Sequence, residues 1–138
     1  LNIKVIVDGK IKEPYFKAGI DEFKKRISGF ADLKIIETSK IIEQIKQNSF
    51  LVTLEIEGEM LSSVEFANKI REIETDGYYN EIIFAIGESE GLSDEVKNAS
   101  DYKLSLSKMT FLHQEAVFIL IEQIYRAFKI LNNEKYHK

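Results

Sequence analysis

The sequence predicts an α/β domain built on a mainly parallel sheet flanked by helices. Three observations carry that expectation. Apolar, β-branched runs of strand length alternate with segments whose apolar residues recur at helical spacing. The runs at 50–56 (FLVTLEI) and 81–86 (EIIFAI) are apolar almost throughout, as strands covered on both faces are. Turn signals such as Asp8-Gly9 and Asp76-Gly77 separate the segments.

Each element can be justified in order. Residues 2–7 place Ile3, Val5 and Val7 at alternate positions and stop at Asp8-Gly9, which reads as a strand. Pro14 suits a first helical turn, where its missing amide is not needed. Tyr15, Ala18, Ile20, Phe23 and Ile27 follow near helical spacing, predicting a helix over 13–28 ended by Gly29. A strand is expected over 33–37 and a short helix over 41–47. The strand at 50–56 is expected to break at Gly58. Ser62 or Ser63 caps the next helix, whose apolar positions are Val64, Phe66, Ala67, Ile70 and Ile73. The strand at 81–86 ends at Gly87, Ser93 caps a short helix over 94–99, and the last strand is 102–106.

The final helix, about 112–131, carries two apolar stripes. Val117, Leu120, Ile121, Ile124, Phe128 and Leu131 form one; Phe118 and Tyr125, beside Ala116, form the other. A helix apolar on more than one face needs cover on both. In so short a chain a partner subunit is the economical cover, which predicts a homodimer through this helix.

At 138 residues the chain is long enough for one domain, 1–138, with a core that needs no staples. The absence of cysteine removes disulfide frameworks, thiolate metal sites and cysteine nucleophiles together. The two histidines, His113 and His137, form no cluster in sequence, so no metal site is expected. No apolar run reaches bilayer length. The first residues lack signal-peptide architecture, which makes the cytoplasm the expected location, and Leu1 is not an initiator methionine. A net charge of -4 says nothing in favour of general nucleic-acid binding, for which a basic footprint is expected. Any action on RNA is expected through a local basic face or a structured assembly.

In parallel α/β sheets, ligands sit at the carboxyl ends of strands. That singles out the loops after Leu54, after Ile86 and after Leu106. Gly87-Glu88-Ser89-Glu90-Gly91 can bring backbone amides to a ligand, or serve only as a strand-to-helix turn. Its two carboxylates disfavour phosphate and tolerate a cationic or sugar-bearing ligand. Leu106, Ser107, Lys108, Met109, Thr110 and Phe111 mix hydroxyls and amides with apolar groups. Such a mixture suits a flat heterocycle; the competing reading is an ordinary capped helix start. Glu122 and Arg126, four apart, can pair along the last helix.

These residues carry a resemblance. LSLSKMTFLHQ at 104–114, LIEQIYRAFKI at 120–130, the terminal YHK, IGESEGL at 86–92 and TLEIEGEMLSS at 53–63 are similar to the RlmH family. These are bacterial large-subunit ribosomal RNA pseudouridine N3-methyltransferases of the SPOUT class. The likeness runs over essentially the whole chain. It implies a C-terminal deep trefoil knot, a homodimer, and S-adenosylmethionine held by Leu54, Gly87 and the loop from Leu106 to Phe111. It implies as substrate a pseudouridine of large-subunit (23S) rRNA presented on the assembled ribosome. Tyr136 and His137 match the family's tail and become candidates for substrate placement and proton handling. Arg126 becomes a candidate for steadying a phosphate or the base anion.

The chain departs from the family pattern at Glu88 (usually Gly), Leu112 (usually Pro) and Val117 (commonly Arg), and in a shorter stretch at 39–49. Glu88 and Val117 suggest a crowded pocket and a lost cation. The departures support an alternative, a catalytically weakened knotted module that binds ribosomes or RNA. A generic nucleotide-binding α/β domain is a third reading.

Overall fold

The computed structural model describes all residues 1–138. Five strands form one parallel sheet: β1 (Asn2–Val7), β2 (Asp32–Glu37), β3 (Ser49–Met60), β4 (Glu81–Ile86) and β5 (Tyr102–Ser105), in the order β2-β1-β4-β3-β5. The helices are α1 (Pro14–Ile27), α2 (Ser63–Asp76), α3 (Asp94–Ala99) and α4 (His113–Leu131).

The continuous apolar strands are explained by cover on both faces. Ile3, Val5 and Val7 of β1, with Ile82, Phe84 and Ile86 of β4, point into a cluster of 24 buried residues shared with α1, α2 and α4. Ile6, Leu51, Ile83 and Ala85 point to the other face, where a smaller cluster of 7 is closed by Ile41, Leu92 and Val96. Side chains alternate across the sheet, so a strand buried on both faces needs apolar residues at every position. The thick face therefore carries most of the hydrophobic stabilisation, at about 1.5–3 kcal/mol for each large side chain buried.

Local rules set the helix ends. Pro14 occupies the first turn of α1, and Ser62 caps α2 in a reciprocal capping box with Glu65. Gly77, at φ +84, closes α2 in the left-handed region. Gly29 plays no such part, because α1 ends at Ser28 in right-handed geometry. Ser93 caps α3 as expected. The helix expected over 41–47 is reduced to a single 3₁₀ turn, Ile41–Gln44, which drops Ile41 onto the thin face.

Two expectations are corrected. Gly58 does not end its strand, since β3 continues to Met60. Leu104 of β5 pairs first with Leu54 and then with Glu59, so residues 55–58 bulge out and return. Gly58 is needed because a Cβ there would lie 2.7 Å from the Lys103 carbonyl. Second, the other apolar stripe of α4 is covered within the chain. Phe118 lies against Gly19 and against the rings of Phe16 and Phe23, and Tyr125 lies against Phe23 and Phe30. Its cover is α1, so the stripe does not itself call for a partner. No helix is long and apolar enough to cross a membrane.

Candidate active site

The sheet register brings Leu54 and the two loops that follow β4 and β5 together. The last β3–β4 pair is Thr53 with Ala85, so Leu54 stands level with Ile86, one residue before Gly87. Leu54 in turn pairs with Leu104, two residues before Leu106. Leu54, where the β3 bulge begins, thus stands beside Gly87 and Leu106, which directly follow β4 and β5, on the carboxyl side of the sheet where α/β ligands bind.

The loop after β5 combines walls and donors. Leu54, Leu106 and Phe111 are half-buried, whereas Lys108, Met109 and Thr110 are exposed. The Ser107 hydroxyl accepts from the Met109 amide at 3.0 Å, pinning the turn. The amides of Ser107, Lys108, Thr110 and Phe111 have no partner in the chain. Apolar walls beside unused amides fit a flat heterocycle recognised through its hydrogen-bonding edge, as the adenine of S-adenosylmethionine would be. The donor set therefore fits the cofactor that the resemblance implies.

The loop after β4 is drawn tight: the Gly91 amide donates to the Glu88 carbonyl at 2.7 Å. A Cβ on Gly87 would lie 2.5 Å from the Gly91 carbonyl carbon, so glycine is required for the loop's own closure. The Glu88 carboxylate rests against Gly9, where a Cβ would meet its Oε1 at 2.6 Å. Gly9 follows β1, on the opposite side of β4 from β3 and β5. Glu88 is therefore turned away from the Leu54 and Leu106 side. Val117 is fully buried, so this position faces the core and not a nucleic acid.

Arg126, Tyr136 and His137 come together around a fourth residue, Glu122. Glu122 Oε2 accepts from the Tyr136 hydroxyl at 2.8 Å and from Arg126 Nη2 at 2.7 Å. Its Oε1 accepts from Gln123 Nε2 at 2.9 Å, and Arg126 Nε lies 3.5 Å away. The remaining guanidinium nitrogen, Nη1, lies 3.1 Å from His137 Nδ1. The Arg126 guanidinium carbon is 4.8 Å from the centroid of the Tyr136 ring, and that ring packs edge-on against Tyr125. Burial first, then the hydrogen bond and charge of Glu122, push the Tyr136 phenol above its ordinary range. The expected Glu122–Arg126 pair is present, but it belongs to a network that orders the tail.

The network reaches the carboxyl side of the sheet. Gln123 Oε1 accepts from the Ser63 hydroxyl at 2.6 Å. Ser63 and Gln123 line a cleft of about 190 Å³ with Leu61, Phe66, Ser105 and Leu106. That is below the roughly 300 Å³ at which ligand pockets begin, so it takes part of a ligand at most. A wider hollow of about 750 Å³ between Lys24 and Lys34 lies at the start of β2, away from the strand ends, and is open to solvent.

Sequence reading missed the hub role of Glu122 and the bracing role of Gln114. The Gln114 side chain accepts from the amides of Lys12 and Glu13, at 2.7 and 2.9 Å, tying the start of α1 to the start of α4. The four-residue spacing to Arg126 was the available signal for Glu122; nothing local marks Gln114.

A parallel sheet with loops gathered on its carboxyl side, beside a charged tail network, describes an α/β enzyme. A family model described as "Predicted SPOUT methyltransferase" matches residues 1–137. The chain belongs to the SPOUT methyltransferase family. It is 45% identical to the ribosomal RNA large subunit methyltransferase H of Clostridioides difficile (strain 630), over the whole of both chains. It is 44% identical to the protein of that name from Finegoldia magna, again over the full length of both. Among solved structures, a probable methylase family protein from Haemophilus influenzae Rd KW20 superimposes with a TM-score of 0.68 at 15% identity. The match covers 99% of this chain and 70% of that one. A probable methyltransferase from Bordetella pertussis Tohama I gives 0.63 at 10% identity, covering 91% and 95%. These two likenesses concern the fold alone.

Proposed function

We propose that this chain is an S-adenosylmethionine-dependent methyltransferase acting on N3 of a pseudouridine in large-subunit (23S) ribosomal RNA, on assembled ribosomes. The observation that carries the reading is the junction of the Leu54–Leu106 edge with the Arg126–Tyr136–His137 cluster through Ser63, Gln123 and Glu122. When bound, the cofactor supplies an activated sulfonium methyl. The chain's own task is alignment: the 106–111 amides and Leu54 fix one reactant, while the tail places the other. His137 and Arg126 stand where hydrogen bonds and positive charge can steady the substrate base as N3 loses its proton.

Full-length relatives bearing a ribosomal RNA methyltransferase name support the substrate class. An acidic protein then relies on the ribosome for shape-specific docking, in the cytoplasm. We read residues 1–138 as one domain. The deep knot implied by the resemblance is supported by the crossed strand order, with β4 between β1 and β3 and the later β5 beyond β3. A homodimer rests on narrower ground than the α4 stripes: Leu112 is 69% exposed at the start of that helix, and Met109, three residues earlier, is 76% exposed.

The test is transfer of labelled methyl to ribosomes lacking the modification, followed by nucleoside analysis. Methylpseudouridine with the native chain, and none with a Tyr136→Phe, His137→Ala double variant, is the expected result. Saturable cofactor binding without transfer to intact ribosomes would favour the docking-module reading instead.

A further inference from the structure

Resting on the proposed transfer to an imide nitrogen, we infer that Glu122 is a positioning residue. Through Arg126 it holds His137 as the Nε2–H tautomer, so the tail offers the substrate a hydrogen-bond donor and not a proton acceptor.

The argument is one of donors and acceptors. A guanidinium has five N–H groups and no lone pair to give. Glu122 engages Nη2 at 2.7 Å and faces Nε at 3.5 Å, which fixes the plane of the fork and leaves Nη1 directed at His137 Nδ1, 3.1 Å away. Nδ1 must therefore be the acceptor, and the ring proton sits on Nε2. Tyr136 is committed as well, because its hydroxyl proton points at Glu122 Oε2. Neither tail side chain retains a free base aimed outward. His137 is exposed and only its Nδ1 is engaged within the chain, which leaves the Nε2–H for a ligand.

The chemistry accommodates this. Ionisation of an imide spreads the negative charge onto the flanking carbonyl oxygens, where an N–H donor stabilises it. The N3 proton would pass to solvent water and the N3 lone pair would form the new N–C bond, with the electron pair of the donor's C–S bond left on sulfur. No protein base is consumed.

The experiment uses the full chain with ¹⁵N-labelled histidine. Long-range nitrogen–proton spectra distinguish the two neutral tautomers, and the His113 signals are identified as those that survive in His137→Gln. The expected result is an Nε2–H pattern for His137 that is lost in Glu122→Gln and in Arg126→Lys, which keeps the charge but not the fork. An Nδ1–H or imidazolium pattern in the native chain, or an unchanged tautomer in both folded variants, overturns the inference. In methyl transfer, His137→Gln places an amide donor near the Nε2 position. It should retain activity within about tenfold, while His137→Ala loses about 10²–10³-fold in kcat. Equal loss in both variants also overturns the donor role. If the native chain methylates no ribosomes, the reading of function fails; the tautomer spectra decide the Glu122–His137 relationship separately.

Discussion

Gly58 of β3 meets the backbone of Lys103 in β5 with no room for a side chain: a Cβ would lie 2.7 Å from both its carbonyl carbon and oxygen. Backbone cannot swing aside as a side-chain tip can. Gly58→Ala must therefore shift the β3 bulge or β5, and β5 leads into the 106–111 loop. We expect a loss of about 1–3 kcal/mol in urea unfolding, as for overpacking elsewhere, together with weaker cofactor binding by calorimetry. Gly29→Ala is the control. Its nearest new neighbour is 4.0 Å away, so it should stay within about ±0.5 kcal/mol.

The Glu88 carboxylate lies on the Gly9 side of β4, away from the Leu54 and Leu106 edge. Glu88→Ala should therefore change S-adenosylmethionine affinity by no more than about twofold, or ~0.4 kcal/mol. Gly9→Ala makes the opposite test. Gly9 has φ +87, and an added methyl would collide with the Glu88 carboxylate, expelling it from its resting place. That variant should bind the cofactor more weakly, and Glu88→Ala should restore part of the loss. A tenfold change from Glu88→Ala alone would place the carboxylate in the pocket.

How much of this was legible in the sequence follows from which contacts are local. The strands at 2–7 and 81–86 and the Ser93 cap rest on neighbouring residues and were read correctly, and the structure settles the Ser62-or-Ser63 cap on Ser62. Gly58 was misread because a glycine that ends a strand and one that admits another backbone look alike, and only β5, some 45 residues later, distinguishes them. The second stripe of α4 was misassigned to a partner for a similar reason: Phe16, Phe23 and Phe30, which cover it, lie about a hundred residues earlier. The convergence of the loops after Ile86 and Leu106 was legible because parallel strands all end on one side of their sheet. The tail cluster became visible only through resemblance, since Glu122 and Tyr136 are fourteen residues apart with a helix end between them.

Tyr102 donates to Glu59 Oε1 at 2.8 Å, and burial, then this bond and the adjacent charge, push the phenol up to about 12. A raised folded-state value means that the folded chain keeps a proton which the unfolded chain gives up near pH ~10. The stabilising contribution is complete below that pH and is lost as pH climbs towards about 12. Urea midpoints should therefore fall more steeply over this window in the native chain than in Tyr102→Phe. Parallel slopes would mean that Tyr102 titrates as it does in the unfolded chain.

Gly19 sits inside α1, where glycine costs about 1 kcal/mol relative to alanine. On propensity alone Gly19→Ala should stabilise. The structure predicts the reverse, because the new methyl would lie 2.6 Å from Phe118 Cε1 of α4. That ring is itself held between Phe16 and Phe23, at centroid distances of 6.3 and 5.8 Å, and cannot easily retreat. Gly19→Ala should therefore cost about 1–3 kcal/mol. In a Phe118→Leu background the same change should become neutral or favourable. The coupling in this double-mutant cycle should fall at about 1–3 kcal/mol, since the two residues touch. Additive effects would mean that α1 and α4 adjust freely. Coupling would mean that α1 sets the position of α4, and with it the helix from which Glu122 and Arg126 hold the tail.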